Sequence, residues 1–181
     1  MLKEVKKTIG KFILKRRLKK QNRRREVKNL MHCESILILA SEPEDMGAMN
    51  TSEFVRYLKG LGKDVVTVFS PIGKKQINKS YGPEIELIAK GDLNFFLIPK
   101  KPVIHDCIER EFDLLIDLSL SNTFTLKYIH ALSMAKFKVG GAVNYKNRYS
   151  DMTVDIKNNP TVEYLITQLK HYLININKNV A

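Results

Sequence analysis

The chain contains no tryptophan, only two cysteines, and few acids: 19 Asp and Glu stand against 31 Lys and Arg in 181 residues. Two cysteines, Cys33 and Cys107, are too few and too unpatterned for a disulfide framework, which fits a reducing compartment. No apolar run reaches the ~18 residues needed to cross a bilayer. The apolar group Ile9, Phe12, Ile13, Leu14 is broken by Lys11 and followed by further charge, so it does not read as a secretory leader, and a cytoplasmic location is expected. Phosphate-binding glycine patterns are also missing. No G-x-G-x-x-G or Walker sequence follows any apolar run, and SPIGKK, the nearest candidate, offers one glycine and two lysines.

Histidines and nucleophiles show a similar scarcity of pattern. His32, His105, His130 and His171 fall in different segments, and His105, Asp106 and Cys107 lie side by side on a predicted helix, which sends them in different directions. Asp113 and Asp117 flank LLI and point the same way on a strand, but no base or nucleophile is paired with them by local signature. They read as hydrogen-bond partners. The sequence therefore names no catalytic residue, no metal and no cofactor.

What is abundant is positive charge, and it is unevenly placed. Residues 1–29 hold thirteen Lys and Arg against Glu4 and Glu26, so they account for +11 of the net +12 and leave residues 30–181 almost neutral. Such concentration acts collectively on a polyanion or an anionic surface. Leu2, Val5, Ile9, Phe12 and Ile13 recur at intervals of three and four, which predicts an amphipathic helix continuing to about Arg25, with Gly10 weakening it only modestly. Its first half has apolar surface to dock. Its second half, ILKRRLKKQNRRR, has the cations Lys15, Arg16, Arg17, Lys19, Lys20, Arg23, Arg24 and Arg25, with Lys11 just before it and Lys28 just beyond. Guanidinium forks match phosphate oxygens two at a time.

From residue 31 onward the pattern becomes βα alternation. SILILAS and DVVTVFS are continuous apolar runs of the kind buried on both faces of a parallel sheet. Between them Asn50, Thr51 or Ser52 can cap a helix carrying Phe54, Val55, Leu58 and Leu61. IELIAK and NFFLIP contribute one further strand, and PVIHDCIERE fits a helix opened by proline. FDLLIDLSL, TFTLKYIHALSMA and FKVGG form a strand, helix, strand unit, DMTVDI an edge strand, and NPTVEYLITQLKHYLINI a closing helix with Asn159 as its cap and Pro160 at its first position. The expected fold is α/β, a doubly wound, mostly parallel, Rossmann-like sheet over residues 31–181, with a protruding basic helix at 1–29.

Ligands of such sheets sit beyond the carboxyl ends of the strands. Ser41, Ser70, and Ser119 with Ser121 and Asn122 end three of the predicted strands, and the acidic loop Glu42, Glu44, Asp45 follows the first, which makes a candidate ligand crevice. Turn and cap chemistry uses the same residue types.

FDLLIDLSLSNTFTLKYIHALSMAKFKVG, taken with ILILAS, FVRYLKGLGKDV and NPTVEYLITQLKHYL, resembles a family of small bacterial α/β proteins of uncharacterised activity that begin with a basic helix. More distantly, the strand ending in Ile-Asp-Leu, the helix after it and the strand ending in Gly are similar to the amino-terminal half of heptosyltransferase-like glycosyltransferases. That similarity bears on fold alone, because the second half that would hold a nucleotide sugar is missing. The expected function is a non-enzymatic, cytoplasmic RNA-binding factor associated with ribosomal RNA and ribosomal proteins. The alternatives are a peripheral protein held on a membrane surface by the basic helix, and a small-ligand-binding or degenerate glycosyltransferase-like domain.

Overall fold

The computed structural model describes residues 2–41, 45–70 and 85–176. Six strands, β1 (Ser35–Ala40), β2 (Asp64–Phe69), β3 (Ile85–Leu87), β4 (Leu114–Asp117), β5 (Phe137–Gly141) and β6 (Met152–Val154), form one all-parallel sheet in the order β3-β2-β1-β4-β5-β6. The strand order reverses between β1 and β4, as in a Rossmann-like fold. Side chains alternate across the sheet, so SILILA divides cleanly: Leu37 and Leu39 enter one apolar cluster with Leu115 and Val68, while Ile36 and Ile38 enter the other with Leu114 and Ile116. The helices α1 (Leu2–Leu18), α3 (Pro102–Glu109), α4 (Phe124–Leu132) and the short α5 (Lys146–Tyr149) cover the first face; α2 (Asp45–Gly60) and α6 (Val162–Asn175) cover the second.

The starts of two helices depart from expectation. α2 begins at Asp45, which puts Asn50, Thr51 and Ser52 inside it, because Met and Ala are good helix formers and carry the helix back past those polar residues. The cap of α6 is Thr161, whose hydroxyl accepts from the Tyr164 amide, while Asn159 bonds the Thr161 hydroxyl instead. Of IELIAK and NFFLIP, only Ile85–Leu87 pairs in the sheet. The second becomes a turn with Leu97 at φ 63°.

The basic helix does not protrude. α1 stops at Leu18 rather than near Arg25 and lies against α4, with Leu14 buried and Ile13 and Leu18 packed on the cluster beneath. Gly10 is the point of closest approach: a Cβ there would fall 2.7 Å from the Phe96 carbonyl oxygen and 2.9 Å from the Phe124 ring. The helix rolls onto its glycine, which turns Val5, Ile9 and Phe12 outward at 50%, 38% and 67% exposure. The apolar stripe expected to dock is thus partly the stripe that faces solvent. Past Leu18 no apolar face remains to bury, and helices without one are marginal.

Candidate functional site

Residues 19–29 continue from α1 as an irregular strap held down by four side chains, the last of them Asn29, whose amide donates to the Ile174 and Ile176 carbonyls at 2.9 and 2.8 Å. Arg17 donates to the Tyr128 hydroxyl at 2.6 Å, and Gln21 donates to the Leu132 carbonyl where α4 ends. Arg23, its side chain only 8% exposed, forks onto Asp151, with one nitrogen 2.8 Å from Oδ2 and also 2.9 Å from the Ala135 carbonyl. Bidentate guanidinium–carboxylate geometry is the strong form of this contact. Lys28 is drawn to Glu26 at 2.6 Å and faces Asp113.

The ten expected phosphate ligands therefore divide. Arg17, Arg23 and Lys28 fasten the arm, while Lys11, Lys15, Arg16, Lys19, Lys20, Arg24 and Arg25 are exposed. Among the described residues, the exposed seven have only surface partners for their charge: Arg24 beside Glu26 at 3.2 Å, and Arg25 at 3.9 Å from Asp151. A shallow hollow on α1 is lined by Phe12, Ile13, Arg16, Arg17 and Lys20.

The serine crevice is only partly assembled. Ser41 and Ser121 meet across the switch between β1 and β4 with their hydroxyls 2.7 Å apart, Asn122 stands exposed beside them, and Ser70 is buried at the end of β2. Ser119 turns inward and donates to Asp117 at 2.6 Å. Glu42, Glu44 and residues 71–75 of the SPIGKK stretch lie outside the described residues, as does the side chain of Asp45.

Beneath the end of β4 sits a charged cluster that no local motif announces. Asp117 is fully buried, and its oxygens receive the Ser119 amide at 3.0 Å, the Ser119 hydroxyl, the Tyr145 hydroxyl at 2.8 Å and His130 Nδ1 at 2.9 Å. Lys146, equally buried, lies 3.6 Å away and donates to the Ser119 carbonyl. Burial alone would raise the Asp117 carboxyl, but Lys146, then His130 and Ser119, outweigh it and hold it at about 2. Burial lowers His130 despite that carboxylate, so the imidazole is neutral; Nδ1 carries its proton toward Asp117, and Nε2 accepts from the Ser150 hydroxyl at 3.1 Å. Burial, then the Asp117 charge, pushes the Tyr145 phenol well above its ordinary range.

Asp117, His130 and Ser150 thus stand in hydrolase-like order. The amides beside Ser150 are already committed, its own to the Lys146 carbonyl and that of Asp151 to the Lys138 carbonyl, so neither is free to hold a developing oxyanion. The relay pins α4, β4 and α5 together. Asp113 has a comparable joining role: burial would raise it, but Lys136 and the amides of Glu34 and Ser35 bring it to about 2. Among the described residues no group of three or more His, Cys, Asp or Glu is placed to hold a metal ion.

Lys138 is the remaining buried charge. Its ammonium caps α4 by donating to the His130 and Ala131 carbonyls at 2.8 and 3.1 Å, and burial, then Arg23, lower it to about 7 against the pull of Asp151. Between that value and the ordinary lysine value of 10.5 the unfolded chain binds the extra proton, so stability rises with pH across this window. Lys138→Met is expected to flatten the rise, read as the difference in urea midpoint between pH 7 and pH 10. An unchanged pH slope in the variant contradicts this assignment.

The sequence signals for this cluster were weak but real. Asp117, Lys138 and Lys146 are charged residues in or beside apolar runs, and a charge buried in a strand demands partners. Which partners depended on the fold. One protein-family model matches residues 6–176, a span that takes in most of α1 and the whole strap. No curated protein matches the chain.

Proposed function

Because the chain belongs to that family, a family of unknown function (DUF6913) that brings no activity with it, we propose from its own chemistry that it is a non-enzymatic RNA-binding factor, with ribosomal RNA as the first partner to test. The supporting observation is the division of labour in the arm. Arg17, Gln21 and Arg23 fix the backbone to the domain while Lys15, Arg16, Lys19, Lys20, Arg24 and Arg25 stay exposed. Cations held on a fixed frame bind phosphate with less ordering cost than cations on a free tail. Phosphate contacts of this kind position a protein on nucleic acid without reading bases.

One observation favours a second reading. Val5, Ile9 and Phe12 point outward in one row, and Phe95 is exposed beneath the Lys6 ammonium, 4.0 Å from its ring centre, as on a helix that lies in an anionic membrane surface. No helix among the described residues is long and apolar enough to cross a membrane. Sedimentation separates the two. The RNA reading expects co-sedimentation with ribosomal particles that is lost at high salt and after nuclease treatment. Recovery in the membrane pellet of nuclease-treated lysate would overturn it.

A further inference from the structure

Four cations outside the strap gather on the flank of α1 that faces the domain. Lys7 and Lys11 come from α1, Lys127 from α4 and Arg148 from α5; Lys127 and Arg148 each lie 5.6 Å from the centre of the Tyr149 ring. Tyr149 is itself packed against the apolar cluster, so the ring gives both cations a fixed seat at cation–π range. Among the described residues none of the four has an acidic partner. Burial, then the charges of Lys11, Arg148 and Lys7, hold the Lys127 ammonium below its ordinary value, which records how closely the group is drawn together.

Like charges converging from three elements are unfavourable for the isolated chain and favourable once an anion lies between them. Their arrangement is also linear. Lys7, Lys11, Lys15 and Lys19 follow one another at intervals of four, so they form a ridge along one flank of the helix, extended past Leu18 by the Lys19 amide bonding the Lys15 carbonyl at 3.2 Å. At ~1.5 Å per residue the ridge is about 18 Å long. Lys127 and Arg148 stand across from its first half.

We propose that Lys127 and Arg148 form the second wall of a phosphate-binding groove whose first wall is the Lys7–Lys11–Lys15–Lys19 ridge, and that the groove seats the backbone of a single RNA strand. This rests on the RNA reading above and adds to it a path along the domain, one wall of which is made by residues outside the basic arm. The ligand is recognised as a row of phosphodiesters.

The experiment is a titration of a labelled single-stranded RNA of about 20 nucleotides with the full chain over a series of salt concentrations. Each lost phosphate contact removes ~0.7 from the slope of log affinity against log salt. Lys127→Gln with Arg148→Gln is expected to weaken binding about tenfold at 0.1 M salt and to reduce the slope by ~1.4. Lys100→Gln with Lys157→Gln removes the same charge from exposed lysines elsewhere and is expected to leave the slope nearly unchanged. Thermal melts check that both variants fold.

If the first pair behaves like the second while neutralising Lys15, Arg16, Lys19 and Lys20 abolishes binding, the groove is wrong and the RNA reading stands. If the wild-type chain shows no salt-dependent affinity for RNA, both fall. Tight binding to vesicles containing phosphatidylserine, unaffected by competing RNA, overturns both in favour of the membrane.

Discussion

Asp117→Asn is expected to lower stability by about 3–5 kcal/mol, the cost of leaving a buried charge without its partner. Lys146 and Asp117 are both 0% exposed, and Lys146 has no other carboxylate within ion-pair reach among the described residues. Asparagine keeps an acceptor for the Ser119 amide and hydroxyl but turns its NH2 toward the Tyr145 hydroxyl and His130 Nδ1, so the loss combines those two contacts with the charge. For a chain of this size the loss corresponds to roughly 6–20 °C in melting temperature. Adding Lys146→Met to Asp117→Asn removes the stranded ammonium and is expected to recover much of the deficit. If the double variant is no better than the single one, the cluster is held by the hydroxyl and imidazole contacts and not by the ion pair. The sign with pH follows from the depressed carboxyl: the contribution is complete above the ordinary value of 3.8 and is lost as pH falls toward about 2. Acid titration of the wild type against the double variant reads that difference directly.

The second large effect concerns affinity. Replacing Lys15, Arg16, Lys19, Lys20, Arg24 and Arg25 with glutamine takes away six exposed cations without touching the residues that fasten the strap. At ~0.7 per charge the salt slope for a single strand should shrink by about 4, so the wild type should lose roughly 300-fold more affinity than the variant between 50 and 200 mM salt. The melting temperature should barely move, since exposed ion pairs such as Arg24 with Glu26 contribute little. A variant that keeps the wild-type slope would show that these six side chains do not meet phosphate.

Much of the sheet could be read from sequence because its physics is local. SILILAS, DVVTVFS and FDLLIDLSL are short, mostly apolar runs without a two-residue period, as a strand covered on both faces requires; β1, β2 and β4 are inner strands of the sheet. Strand β6 was legible as an edge from its short, mixed run. The arm was legible in charge but not in posture. Its amphipathic period gave a helix, yet which face docks was decided by Gly10 fitting against Phe96 and Phe124, and where it ends by contacts with Tyr128, Leu132 and Asp151. The same holds for His130 and Lys146. Neither has a neighbour in sequence that explains it, and both are explained once the end of β4 brings Asp117 between them.

The separation of those anchors in the chain has a consequence for synthesis. Arg17 reaches across 111 residues to Tyr128, Arg23 across 128 to Asp151, and Asn29 across 145 to the Ile174 carbonyl. Closing loops of that length comes late in folding. On the ribosome the basic segment emerges before any of its clasps exist, and the last of them belongs to the end of α6. Until then Arg17 and Arg23 are as free as Arg24 and Arg25. A nascent chain of this protein therefore carries a larger and looser set of cations than the finished one, and fastening the strap is the step that trims that set to the ones left facing outward.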